Sequence, residues 1–264
     1  MSWKAVAHAS IGVLHVQNDM PCQDYANYRQ LEHGVIIGAV ADGAGSAKHS
    51  DVGARLAVET TLQYFSKMGA FIQGRKRCWE SFAQPFSVKE AQKRFAKLVQ
   101  KRLMVRLEQE AERSGYSVEE LACTLLCFIA TPYWTVAMQI GDGFMVVRAQ
   151  GQDYQLLFSP DKGEFANETT FVTSRNALDD MQVSVIAHPL EFICAATDGL
   201  ERVALRVSDW MPFAPFFNPL SEYLAQTPKP DEDKVYLESF LDSERLNQKT
   251  QDDKTLLLCL YQNG

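Results

Sequence analysis

The sequence predicts an α+β protein in which helices cover the outer faces of two stacked antiparallel sheets. Three observations predict it. Short apolar runs, each bounded by turn residues, recur along the chain and read as buried strands. Several follow one another with only a tight turn between them, as hairpins do. The helical patterns gather in the middle and near the end instead of alternating with strands, which argues against βαβ units and a parallel sheet. No internal repeat, low-complexity segment or linker interrupts residues 1–264, so the chain is expected to form a single domain.

In order, Trp3 to Ile11 reads as a strand followed by a loop. Pro21 marks a turn, and Tyr25 to Tyr28 resumes extended structure. After a turn over Leu31 to Gly34, Val35 to Ala41 is an apolar run too short for a buried helix. Asp51 caps an amphipathic helix reaching about Met68. Gly69 to Pro85 reads as a loop or short broken helix. Ser87 and Glu90 form a capping box opening a long helix to Ser114, with Phe95, Leu98, Val99, Leu103, Leu107 and Ala111 as its apolar stripe. Gly115 ends it. Its other face carries Lys89, Lys93, Arg94, Lys97, Lys101 and Arg102, read as a solvated face, with docking of an acidic partner as the alternative. A second capping pattern spans Ser117 to Glu120. Strands then follow at Cys123 to Ala130, Thr135 to Ile140 and Phe144 to Ala149, with turns at Pro132-Tyr133 and Asp142-Gly143. Ser159 to Ala177 is polar and reads as a surface flap. Val183 to Ala187 and Phe192 to Thr197 are further strands. Leu200 to Val207 looks helical, and Asp209 to Leu224 is an aromatic-rich segment broken by proline. Asp231 to Leu246 reads as a final helix and Thr255 to Tyr261 as a final strand.

Composition narrows the function. Of 264 residues, 46% are hydrophobic and 22% charged, as in ordinary globular proteins. A net charge of −7 argues against a nucleic-acid binder, which shows a basic footprint. The longest apolar runs are too short to span a bilayer, and His8, Ser10 and His15 interrupt any signal-peptide core, so a cytoplasmic location and no membrane partner are expected. The six cysteines show no Cys-x-x-Cys pair and read as buried free thiols instead of disulfides or a zinc site.

The chemistry lies at the strand ends. The run Val35 to Ala41 delivers Asp42-Gly43-Ala44-Gly45-Ser46. Thr135 to Ile140 runs through Gly141 into Asp142-Gly143, Phe192 to Thr197 runs into Asp198-Gly199, and Asp252-Asp253 precedes the last strand. One Asp-Gly is an ordinary turn signal. Carboxylates at four strand ends, far apart in the chain, suggest one oxygen-only metal site. Carboxylates with a backbone carbonyl are hard ligands suited to Mg2+ or Mn2+. Without cations they would repel and raise one another's pKa. Two such ions activate a water and clamp a phosphoryl group, so phosphate ester hydrolysis is the favoured reaction class. The absence of Gly-x-x-x-x-Gly-Lys-Ser/Thr and of Gly-x-Ser-x-Gly disfavours a P-loop NTPase and a serine hydrolase.

Asp42-Gly43-Ala44-Gly45-Ser46, Cys123-Thr124, Gly141-Asp142-Gly143, Thr197-Asp198-Gly199 and Asp252-Asp253-Lys254-Thr255 fall in the order seen in the metal-dependent protein phosphatases, the protein phosphatase 2C family, which the chain resembles along its whole length. Gly12, His15, Pro21-Cys22-Gln23-Asp24 and Gly163-Glu164-Phe165-Ala166-Asn167 resemble a bacterial branch. The resemblance implies a four-layer α-β-β-α sandwich with metals between the sheets at one edge. It implies a two-ion Mn2+ or Mg2+ site hydrolysing phosphoserine or phosphothreonine in proteins, with Asp42 and Asp198 central to catalysis. Asp42 would bridge two ions, Gly43 would bind one through its carbonyl, and Asp198 and Asp252 would hold the other. Asp24 would act through bound water with Gln23 beside it, and Asp142 would serve a third, weaker position. The implied partners are phosphorylated proteins, with a Ser/Thr kinase or its targets among them.

The chain departs from the family pattern at four places. Asp19 stands where many members have a phosphate-binding arginine, with His15 and Arg29 as candidate replacements. Ala44 stands where eukaryotic members have a histidine general acid, leaving water or His49. Arg202 stands where an acidic residue is expected four places after Asp198, with Glu201 one place earlier, and Asp253 replaces an asparagine. Thr124 reads as a structural strand residue, His8, His33 and His188 as ordinary polar positions, and Phe213, Phe216 and Phe217 as core. Two alternatives stay open: a binding module that has lost turnover, and a phosphatase of small phosphorylated molecules.

Overall fold

The computed structural model describes residues 2–74, 87–158, 169–206 and 208–262, with the backbone course alone for 68–74. Most of the loop expected over 69–85, and the Gly163 to Asn167 part of the flap, lie outside the described residues.

β1 (Ser2–Ser10) is followed by a short helix, α1 (Val13–Gln17), where a plain loop was expected. β2 (Tyr25–Leu31) turns through Glu32–Gly34 into β3 (Val35–Ala41). α2 (Ser50–Gly74) runs past Met68. The capping box forms as predicted: Ser87 N–H donates to Glu90 Oε2 (3.0 Å) and Glu90 N–H to Ser87 Oγ (3.3 Å). It opens α3 (Val88–Leu98), which passes through a π-helical turn (Val99–Leu103) into α4 (Met104–Ser114). Gly115 stops it at φ 73°, the left-handed conformation that glycine adopts without strain. β4 (Leu125–Ala130), β5 (Thr135–Ile140), β6 (Phe144–Arg148), β7 (Gln155–Leu156), β8 (Gln182–Ile186) and β9 (Phe192–Ala196) follow.

The region after Asp198 departs most from expectation. α5 (Glu201–Ala204) is one turn long, because β10 (Leu205–Arg206) pairs with β11 (Met211–Pro212) instead of continuing the helix. α6 (Ala214–Gln226) is a true helix despite Pro215 and Pro219. Pro215 sits in the first turn, where no N–H is needed. Packing of Phe216, Phe217, Leu220 and Leu224 into the core outweighs the bond lost at Pro219. The expected last helix is two, α7 (Val235–Leu241) and α8 (Glu244–Asn247), before β12 (Lys254–Gln262).

One sheet has the order β1-β12-β9-β6-β7 and the other β2-β3-β4-β5-β8, with antiparallel pairing throughout. Alternate residues of each central strand face opposite ways. Ile36, Val40, Leu126, Phe128, Ile193 and Leu257 meet between the sheets. Val35, Ile37, Leu125, Cys127 and Met138 pack beneath α2, α3 and α4, while Phe144, Phe192, Leu256 and Leu258 pack beneath α6 and α7. The result is the α-β-β-α layering. It also explains why antiparallel strands read as unbroken apolar runs: both faces are buried. One correction matters for the site. Gly141-Asp142-Gly143 is not a hairpin turn, because β5 and β6 belong to different sheets and the segment crosses between them.

Candidate metal centre

The register brings the strand-end acids to one edge. In the second sheet β2 starts at Tyr25 opposite Ala41, the last residue of β3, so Asp24 and Asp42 stand side by side. In the first sheet β9 ends at Ala196 opposite both Phe144, the start of β6, and Leu256 near the start of β12. Asp142, Asp198 and Asp252 therefore emerge at one end of that sheet, and the crossing at 141–143 ties this end to the other sheet.

Hydrogen bonds on both sides fix the backbone at Asp42-Gly43. Asp42 N–H donates to Thr124 Oγ1 (2.9 Å), and Thr124 N–H returns to the Asp42 carbonyl (2.8 Å). Thr124, expected as a strand residue, lies just ahead of β4 and anchors the Asp42 backbone there. Gly43 N–H donates to the Gln23 carbonyl (3.1 Å). A Cβ on Gly43 would lie 2.8 Å from that carbonyl and from Ser50 Oγ, so no larger residue fits. Among the described residues no hydrogen bond ends on the Gly43 carbonyl.

Asp24 is buried and accepts from Thr197 Oγ1 (2.8 Å). Burial, with the Asp253 and Asp198 carboxylates adding, pushes its carboxyl up to about 8. Asp42 is raised well above the ordinary carboxylate range by burial, then by the charges of Asp24 and Asp198. Burial and the neighbouring Asp142 raise Asp198 to about 6. Asp142 accepts from Thr169 Oγ1 (2.5 Å).

The two adjacent acids before β12 differ completely. Asp252 is exposed and opens to the groove beside Asp198. Asp253 is buried and accepts from Gly12 N–H (2.6 Å), Gln23 N–H (2.6 Å) and His15 Nδ1 (2.9 Å). This clamp, and the Thr197 hydroxyl on Asp24, escaped the sequence reading. Thr197 precedes Asp198 in the quoted run, and that adjacency was the only signal.

The candidate replacements for missing groups lie elsewhere or are engaged. Arg29 sits mid-strand against Glu59 (3.5 Å), opposite Ile37 and far from the edge. His15 is held by Asp253. The His49 ring stacks on Tyr116 with centroids 3.6 Å apart. His8 approaches Glu238 at 4.0 Å. Phe216 and Phe217 are core, while Phe213 is 43% exposed.

Among the described residues, no three His, Cys, Asp or Glu side chains are grouped tightly enough to hold an ion as they stand. The donor set nevertheless fits a hard divalent cation. Every candidate is an oxygen, the carboxylates raise one another's pKa, and Asp198 Oδ1, Gln23 Oε1 and Ser50 Oγ are buried without a hydrogen-bond partner.

Comparison with known proteins gives concordant results. The family model described as Protein phosphatase 2C matches residues 11–242. Serine/threonine-protein phosphatase 3 of Escherichia coli (strain K12) is 34% identical over 267 residues, covering 99% of both chains. Among solved structures, the serine/threonine phosphatase Stp1 from Staphylococcus aureus superposes with a TM-score of 0.61 at 13% identity, covering 98% of this chain and 95% of that one. PppA of Pseudomonas aeruginosa gives 0.57 at 17% identity, covering 98% of each. At such identities these two show the fold alone. The matched span, the full-length relative and the α-β-β-α layering agree: the chain belongs to the protein phosphatase 2C family of metal-dependent phosphatases.

Proposed function

We propose that this chain hydrolyses phosphoserine and phosphothreonine in proteins by direct attack of water on phosphorus at the carboxylate edge. The observation that carries this is the convergence of Asp24, Asp42, Asp142, Asp198 and Asp252, from separate strand ends, at one edge of the sandwich. Asp42, the Gly43 carbonyl, Asp198 and Asp252 would hold two Mn2+ or Mg2+ ions, with Asp24 and Asp142 as further carboxylates that would support them. Ions bound there supply positive charge that lowers the pKa of water and neutralises phosphoryl oxygens. The chain's part is positioning: the Thr124 bonds hold Asp42, Asp253 holds Gln23, and the Thr197 hydroxyl holds Asp24. Water adds to phosphorus and gives up one proton to solvent, the ester P–O bond breaks, and the departing alkoxide takes a proton from solvent, because Ala44 offers none.

We take residues 1–264 as one phosphatase domain, since β1 and β12 pair over nine positions within one sheet. A cytoplasmic location is supported by the described cysteines, which are all unpaired. Among the described residues no helix is long and apolar enough to cross a membrane. A Ser/Thr protein kinase is the class of enzyme that would supply its substrates.

The test is hydrolysis of an aryl phosphate and of phosphopeptides with Mn2+, with Mg2+ and with chelator. Asp42→Ala and Asp198→Ala should each lower the rate by about 10^3-fold, equivalent to several kcal/mol of transition-state stabilisation. Retained activity in either variant refutes the site. Folded protein inert in both metals would favour the binding module.

A further inference from the structure

Beside the carboxylate edge lies a groove of about 620 Å3, open to solvent, with Asp198 and Asp252 at its metal side. Its lining also includes His15, Glu201, Arg202, Lys249 and Thr250. Arg202 projects from α5, and Lys249 follows α8. Both are exposed, and among the described residues neither side chain has a hydrogen bond or ion pair. Other exposed cations, Lys89, Lys101 and Arg245 among them, likewise make no ion pair among the described residues, whereas Arg113, Arg206 and Lys229 each pair with an acid three residues away; what sets Arg202 and Lys249 apart is their place beside the carboxylate edge. The acids sharing the groove, Asp198, Glu201 and Asp252, form no ion pair with either cation. Arg202 also stands where the family pattern called for an acidic residue.

We propose that this groove docks acidic residues flanking the phosphorylated side chain of a protein substrate, with Arg202 and Lys249 as the cations that meet them. The inference rests on the proposed phosphoprotein phosphatase activity and names the substrate class within it. Asp198 and Asp252 belong to the proposed ion site, and beside them Arg202 and Lys249 outnumber the one further carboxylate of the lining, Glu201, within reach of a peptide whose phosphate is at that site. An acidic peptide is otherwise repelled by the whole molecule, so attraction must be local and salt-sensitive. His15 is already committed to Asp253, so its part is to shape the groove wall.

The experiment compares two phosphothreonine peptides, one flanked by aspartates and one by lysines, in the Mn2+-loaded full chain. Wild type should favour the acidic peptide in kcat/KM by about tenfold, as expected for two exposed charge pairs, and the preference should shrink in high salt. Arg202→Glu with Lys249→Glu should bring the ratio to one or below. As a binding readout, an unphosphorylated acidic peptide should inhibit aryl phosphate hydrolysis by wild type competitively, with a KI raised in the double variant. A wild type indifferent to the flanks, or a ratio unchanged in the variant, overturns the inference and leaves the phosphatase assignment standing. Aryl phosphate turnover without turnover of either peptide overturns both.

Discussion

Asp252 and Asp253 show how little residue type alone decides. The two are chemically identical neighbours, yet one faces the groove while the other is buried and spent on three donors. The acid expected as a ligand is legible from its position before an apolar strand. The clamp is not, because its donors lie 230 to 241 residues away and no local spacing encodes them. Asp253→Ala should leave two buried N–H groups and His15 without an acceptor, costing about 2–5 kcal/mol in urea unfolding. Asp253→Asn keeps one acceptor oxygen and should cost less. If the alanine variant unfolds like wild type, the clamp is not structural. The same limit explains the candidate phosphate ligands: sequence could name His15 and Arg29 but could not show that each already has a carboxylate partner.

At the scale of elements, capping chemistry and apolar runs were legible because they act within a few residues. The Ser87-Glu90 box, the Gly115 stop and β3, β4 and β5 fall where the pattern places them. What was hidden is which strand pairs with which. An Asp-Gly between two apolar runs reads as a hairpin, whereas here it carries the chain from one sheet to the other. α6 was hidden for another reason, since its prolines argue locally against the helix that core packing enforces. The sheets themselves meet at a glycine. Gly38 lies mid-strand in β3, and a Cβ there would overlap the Phe128 ring and lie 2.5 Å from Leu257 Cδ2 of the facing sheet. Gly38→Ala should therefore destabilise by about 1–3 kcal/mol through overpacking. A thermal melt at the wild-type midpoint would show that the intersheet contact yields more easily than the geometry implies.

For the whole molecule, the carboxylate edge ties folding to proton uptake. Asp24 and Asp198 titrate near 8 and 6 in the folded chain, against an ordinary carboxylate value near 4 in the unfolded one. The folded state therefore holds protons that the unfolded chain has released. Stability from these groups is complete below about pH 4 and is lost as pH rises through 6 and 8. In chelator, the melting temperature of wild type should fall between pH 6 and pH 8, and Asp24→Asn should flatten that slope. Added Mn2+ should raise the melting temperature more at pH 8 than at pH 6. Equal slopes in wild type and Asp24→Asn would remove Asp24 as the source. The clamp also bears on how the protein is made. Gln23 leaves the ribosome early, but the carboxylate that fixes it is translated 230 residues later. At about 5–20 residues per second that is a wait of roughly 10–45 s. Through most of that interval the nascent chain carries Asp24 and Asp42 but lacks β12 and the Asp253 before it, so the Gln23 backbone goes without its acceptor until synthesis has passed that residue.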